Sequence, residues 1–142
     1  MHDHRHLRAL IAGVALSTFG GPTFADEIVP VLDITRVKVE QVQLTGSTVR
    51  ALIINQGDQR IEDLRLRVSY QWLWRDEQRP GSHDPGWSIT VPVTSPLAPG
   101  ESRQFEFVPE RPLAARPDGS YSPEVSVVGF TAYSQAGSAP AN

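Results

Sequence analysis

From Leu64 to Trp74 every second residue is large and apolar: Leu64, Leu66, Val68, Tyr70, Trp72 and Trp74. The residues between them are Arg65, Arg67, Ser69, Gln71 and Leu73, and all but Leu73 are polar. A strand turns successive side chains to opposite faces, so this spacing puts one apolar row inward and one Arg-rich row outward. A chain with such a segment has to bury one face of a sheet, and its heaviest aromatic load falls on that one strand.

The remaining segments fit the same architecture. Val37 and Val39, followed by Val42 and Leu44, predict a first strand whose change of spacing implies a bulge. Gly46-Ser47 turns the chain into Thr48–Asn55, where the Leu52-Ile53-Ile54 run fits a strand buried on both sides or near a sheet centre. Asn55-Gln56-Gly57-Asp58 has turn chemistry and leads into the alternating strand, Ile61 to Arg75. Asp76 to Gly86 is the longest loop. Trp87 to Val93 is a shorter strand that Pro92 confines to a sheet edge or a strand end. Leu97-Ala98-Pro99-Gly100 predicts a type II turn, with Pro fixing φ at the first central position and Gly accepting φ > 0 at the second. Glu101 to Val108 follows with Phe105 and Phe107 inward. Pro109, Pro112 and Pro117 then keep the chain irregular until a last strand, Tyr121 to Tyr133. The fold class that follows is all-β, an immunoglobulin-like antiparallel β-sandwich of about seven strands, with a small barrel as the second choice.

The N-terminus has the plan of a secretory signal. Arg5 and Arg8 form a positive n-region, Leu10 to Phe19 an apolar h-region, and Thr23-Phe24-Ala25 a small-residue cleavage site. The expected organisation is a signal peptide over 1–25, a lead-in over 26–35, the β-sandwich over 36–134 and a disordered tail over 135–142. The h-region is shorter than the ~20 apolar residues a membrane span needs. There is no Cys, which excludes a lipid-bearing Cys, disulfides and thiolate metal sites. The expected product, cut near Ala25, is therefore periplasmic or secreted, with no membrane span or lipid anchor. A formal charge of −3 with Lys38 as the sole lysine offers no electrostatic footprint for nucleic acid.

One combination of segments carries a resemblance. A strand ends in Asn55 and Gly57, then come Tyr70-Gln71-Trp72-Leu73-Trp74-Arg75-Asp76, the turn Leu97-Ala98-Pro99-Gly100-Glu101, and Phe105-Glu106-Phe107. In this order they resemble the immunoglobulin-like FxLYD-type domains of bacterial envelope proteins. The Phe-x-Leu-Tyr-Asp string itself is absent, and the loop after Asp76 is longer. The resemblance covers about the middle half of the chain beyond Ala25. It implies a sandwich fold, an envelope location and a non-catalytic interaction role.

Among the aromatic residues, Tyr70 and Trp72 share the parity of Leu64, Leu66 and Val68 and belong to the core. Trp74 near the strand end and Trp87 across the following loop are the candidates for a sandwich rim, where Trp is enriched at binding surfaces. Arg75 and Arg79 lie beside them and complete the candidate binding set: Trp74, Trp87, Arg75 and Arg79. Arg65 and Arg67 fit a solvated outer face balanced by Glu62, Asp63, Asp76 and Glu77. His2, His4 and His6 precede the h-region and leave with it, so His83 is the histidine that stays. Ser82-His83-Asp84 holds three triad residue types, but neighbours on a chain cannot form the relay. Neither a nucleophile elbow nor a phosphate-cradling glycine loop is present. No catalytic residue, metal ligand or cofactor is expected. The reading is an exported accessory interaction module whose partner is another envelope protein. The alternatives are a glycan- or peptidoglycan-binding module using Trp74 and Trp87, and, well behind, an enzyme of unknown class.

Overall fold

In a computed structural model, residues 28–29 and 34–134 are described. The signal segment, its cleavage site and the 135–142 tail lie outside them. The described strands are β1 (Ile28–Val29), β2 (Val37–Thr45), β3 (Thr48–Asn55), β4 (Arg60–Trp74), β5 (Trp87–Val93), β6 (Ser102–Phe107) and β7 (Gly119–Tyr133). They form two antiparallel sheets, one in the order β1-β7-β4-β5 and the other β2-β3-β6. A single 3-10 turn, Ile34–Arg36, precedes β2.

The row that defines the sequence is the row that fills the space between the sheets. Leu64, Leu66, Val68 and Tyr70 belong to that core, and Trp72, with 7% of its surface exposed, is buried beyond its end against Tyr121 and Arg116. On the neighbouring strands, Val127 and Val91 flank Leu66, while Val125 and Ile89 flank Val68. The facing sheet contributes Val49, Ala51 and Ile53 from β3, Val37 from β2 and Phe105 from β6. Arg65 and Arg67 are exposed on the opposite face, as alternation demands. Leu52 and Ile54 are only half-buried, so β3 owes its apolar run to its place at the centre of the three-stranded sheet.

Among the register shifts, the two that carry a positive-φ residue adjust which side chains turn inward. Gln41 adopts φ 52° where the β2–β3 register shifts between Glu40 and Gln43, and this lets Val39 and Val42 both pack on the core. The spacing of the valines announces this bulge. Asp63 adopts φ 52° where the β4–β7 register shifts, so Ile61 and Leu64, three apart, are both buried. In each case an extra residue in the left-handed region re-phases the strand.

The turns follow their residues. Gly100 has φ 71°, and Glu101 N–H donates to Ala98 C=O at 3.0 Å, which closes the turn expected from Pro99-Gly100. Thr45 and Thr48 pair across Gly46-Ser47, with positive φ at Gly46. The lead-in contributes more than its sequence suggests: Ile28 and Val29 pair with Tyr133 and Ala132 at the edge of β7, despite Pro30 beside them.

Two polar side chains tie the layers together. Asn55, fully buried, donates from Nδ2 to the carbonyls of Gln59 (2.8 Å), Leu97 (3.1 Å) and Ala98 (3.1 Å), and its Oδ1 accepts from Gly57 N–H (3.0 Å). It joins the β3–β4 loop to the strand-like segment at Leu97, which bridges Ile61. Tyr70 reaches across the core and its hydroxyl donates at 2.7 Å to Ser47 C=O in the turn that joins β2 to β3 of the opposite sheet. Burial pushes the Tyr70 hydroxyl pKa up, so it stays a donor.

Trp72 has no such tie: its buried indole N–H has no hydrogen-bond partner. Its role is to fill volume. Trp72→Ala is therefore expected to cost about 3–5 kcal/mol in urea unfolding, whereas Trp72→Phe, which gives up no hydrogen bond, costs clearly less. An unchanged midpoint for the alanine variant would contradict the inward packing of this residue.

Candidate functional site

The four residues singled out from sequence fall into two places. Trp74, Arg75 and Arg79 line a pocket of about 300 Å3 with Asp76, Gly81 and Asp118. Trp87 does not join them. It pairs with Tyr70, four residues back along β4 from Trp74, roughly 14 Å at ~3.4 Å per residue.

Trp74 is half-buried, and its ring already has protein neighbours. It meets Trp72 edge-on with centroids 5.7 Å apart. The Arg116 guanidinium lies 5.0 Å from the Trp72 ring centroid and 5.6 Å from that of Trp74. Asp118 fixes Arg116 in a two-point pair, at 2.9 Å to Nε and 2.5 Å to an Nη. The hydrogen bond from Arg116 holds the Asp118 carboxyl below its ordinary pKa, so the pair persists until the solution is more acidic than the usual carboxylate range. Gly81 closes on the other part of the ring: a Cβ there would stand 2.2 Å from Trp74 Cη2. A ring packed in this way presents little free face for stacking. Arg75 and Arg79 are exposed and make no ion pair among the described residues.

Trp87 opens onto the larger depression, a groove of about 610 Å3. Its construction follows from where strands stop. In the β4–β5 register Trp87, Ile89, Val91 and Val93 oppose the inward residues of β4, so they form the inward row of β5. The facing strand β6 ends at Phe107, and the chain departs through Val108-Pro109. Proline has no N–H with which to continue a ladder. Among the described residues no strand of the facing sheet therefore lies over the start of β5, and Trp87 (38% exposed), Ile89 (42%) and Val108 (63%) remain in contact with solvent. Phe107, Leu113 and Tyr121 extend the apolar lining, and Glu110 and Arg111 supply the charge at its rim. Trp87 is steadied by Tyr70, with ring centroids 4.6 Å apart.

Sequence reasoning found Trp87 but not Ile89 or Val108. Ile89 shares the parity of Trp87 and Val91, which is a legible signal for an inward residue. Its exposure depends on the end of β6, which alternation alone does not locate. Arg116 was invisible for a similar reason, since only the return of β7 along β4 brings it over Trp72 and Trp74.

The loop around His83 serves structure: the Asp84 carboxylate accepts the Gly86 N–H at 2.7 Å. Among the described residues no three His, Cys, Asp or Glu gather where they could hold a metal ion, and no helix is long and apolar enough to cross a membrane. Comparison with protein-family models, with curated proteins and with solved structures finds no match.

Arg116→Ala is expected to uncover the Trp74 ring and shift the tryptophan emission to longer wavelength while the far-UV circular dichroism stays unchanged. Unaltered emission would show that Arg116 does not shield these indoles.

Proposed function

We propose that this chain is an exported, non-catalytic, immunoglobulin-like β-sandwich that acts as an accessory protein-interaction module of the cell envelope. Four strands paired in one antiparallel sheet and three in the other fit that sandwich. The signal-like N-terminus and the FxLYD-type resemblance support the compartment. The single observation that carries the interaction role is the groove beside β5. Trp87, Ile89 and Val108, three of the six exposed large hydrophobic residues described, converge on it. Scattered apolar residues on a surface need no explanation, but a contiguous patch with a polar rim marks an interaction site.

The mode of contact is strand addition. β5 is the last of the described strands in its sheet, so among the described residues one side of its backbone is unpaired. An incoming extended segment satisfies those groups and places alternate side chains in the groove. The glycan reading needs Trp74 and Trp87 to act together, and their separation and the packing of Trp74 favour the protein partner instead.

A photo-crosslinking side chain introduced at Ile89 in cells exporting the full-length protein is expected to give protein adducts, and the same group at Arg67 on the outer face to give none. Val108→Asp should abolish the Ile89 adducts while changing stability by no more than about 0.5 kcal/mol, as for an exposed position. Equal or absent adduct formation at positions 89 and 67 would overturn the proposal.

A further inference from the structure

The β5 edge has the chemistry of a self-complementary surface, and we infer that its occupant is β5 of a second copy of this chain, paired antiparallel about a two-fold axis at Ile89. This inference rests on the strand-addition reading above and names its partner.

Main-chain direction alternates with side-chain direction along a strand, so the residues whose side chains face the solvent layer, Ser88, Thr90 and Pro92, turn their backbone groups to the open edge. Pro92 fits there because its nitrogen has no hydrogen to leave unpaired, and it marks the end of the usable edge. Among the described residues, Ser88 and Thr90 are left with free N–H and C=O groups. One antiparallel register between two copies satisfies both: Ser88 of each opposite Thr90 of the other, with four main-chain hydrogen bonds. That register puts Ile89 opposite itself in a non-hydrogen-bonded pair, where side chains approach most closely.

The side chains agree with this pairing. β5 reads Trp-Ser-Ile-Thr-Val-Pro-Val and carries no charge to repel a copy of itself. Edge strands that must stay single are usually guarded by Lys, a bulge or an inward charge, and β5 has only Pro92 near one end. The two exposed Ile89 side chains cover one another, and Trp87 of each copy comes beside Val91 of the other. Glu110 and Arg111, opposite charges side by side on the rim, are exposed and available to each other's copy across the axis.

The absence of native Cys makes the test direct. The exported protein purified as Ile89→Cys is expected to oxidise to a disulfide-linked dimer far faster than Arg67→Cys, because only position 89 meets its own copy. By sedimentation the parent protein should pass from monomer to dimer between about 1 μM and about 100 μM, the range of a modest interface. Ile89→Glu and Ile89→Lys should each stay monomeric, and their equimolar mixture should recover the dimer mass. Thr90→Pro, which removes an edge N–H, should also be monomeric. A parent protein that stays monomeric throughout, or a dimer that survives Ile89→Lys and Thr90→Pro, would overturn the inference. Monomers in solution together with Ile89 photo-adducts to a different protein would overturn the dimer while leaving the interaction role standing.

Discussion

A strand can hide one face against one facing layer, and β4 carries five buried side chains from Leu64 to Trp72 on that face. Keeping this row dry is the condition on which the rest of the structure depends. It requires a second sheet, which β2, β3 and β6 provide with Val37, Val49, Ala51, Ile53 and Phe105. It also calls for partners for the polar groups trapped beside the row, which the Trp72 indole N–H lacks. Asn55 and Tyr70 meet that requirement with hydrogen bonds to carbonyls of other segments, so the same contacts that avoid a desolvation cost also lock the loops to the core.

Among the described residues the cover gives out at the start of β5. Where β6 ends and Val108-Pro109 leaves the sheet, the inward row of β5 continues past it. The result is an apolar groove beside an unpaired backbone edge, with its floor made from residues that elsewhere in the fold would be core. The last residue of β4, four positions beyond Tyr70, shows the contrasting outcome. There Trp74 also extends beyond the facing sheet, but Arg116, held by Asp118, and the backbone at Gly81 close over it. Two tryptophans that look alike in the sequence thus differ in availability because one has a local cover and the other does not.

Most of the architecture was legible because it follows from local rules. Alternation placed β4, the valine spacing announced the bulge at Gln41, Pro99-Gly100 specified its turn, and Pro92 confined β5 to a sheet edge or a strand end. What was not legible depends on distant segments meeting. The bulge at Asp63 is visible only once Ile61 and Leu64 are known to face the same layer. Asn55 looks like an ordinary turn residue until Leu97 and Ala98 arrive beside it. The two-residue β1 has no pattern of its own and exists by pairing with the end of β7. The groove, likewise, is a property of where β6 stops relative to β5.

The most direct test is residue-resolved amide hydrogen exchange at a concentration low enough to keep the protein monomeric. The amides of Leu66 and Val68 should exchange only through global unfolding, while those of Ser88 and Thr90 on the open edge exchange orders of magnitude faster. Protection at Ser88 and Thr90 equal to that at Val68 would mean that another part of the chain already covers the edge, and would contradict the account.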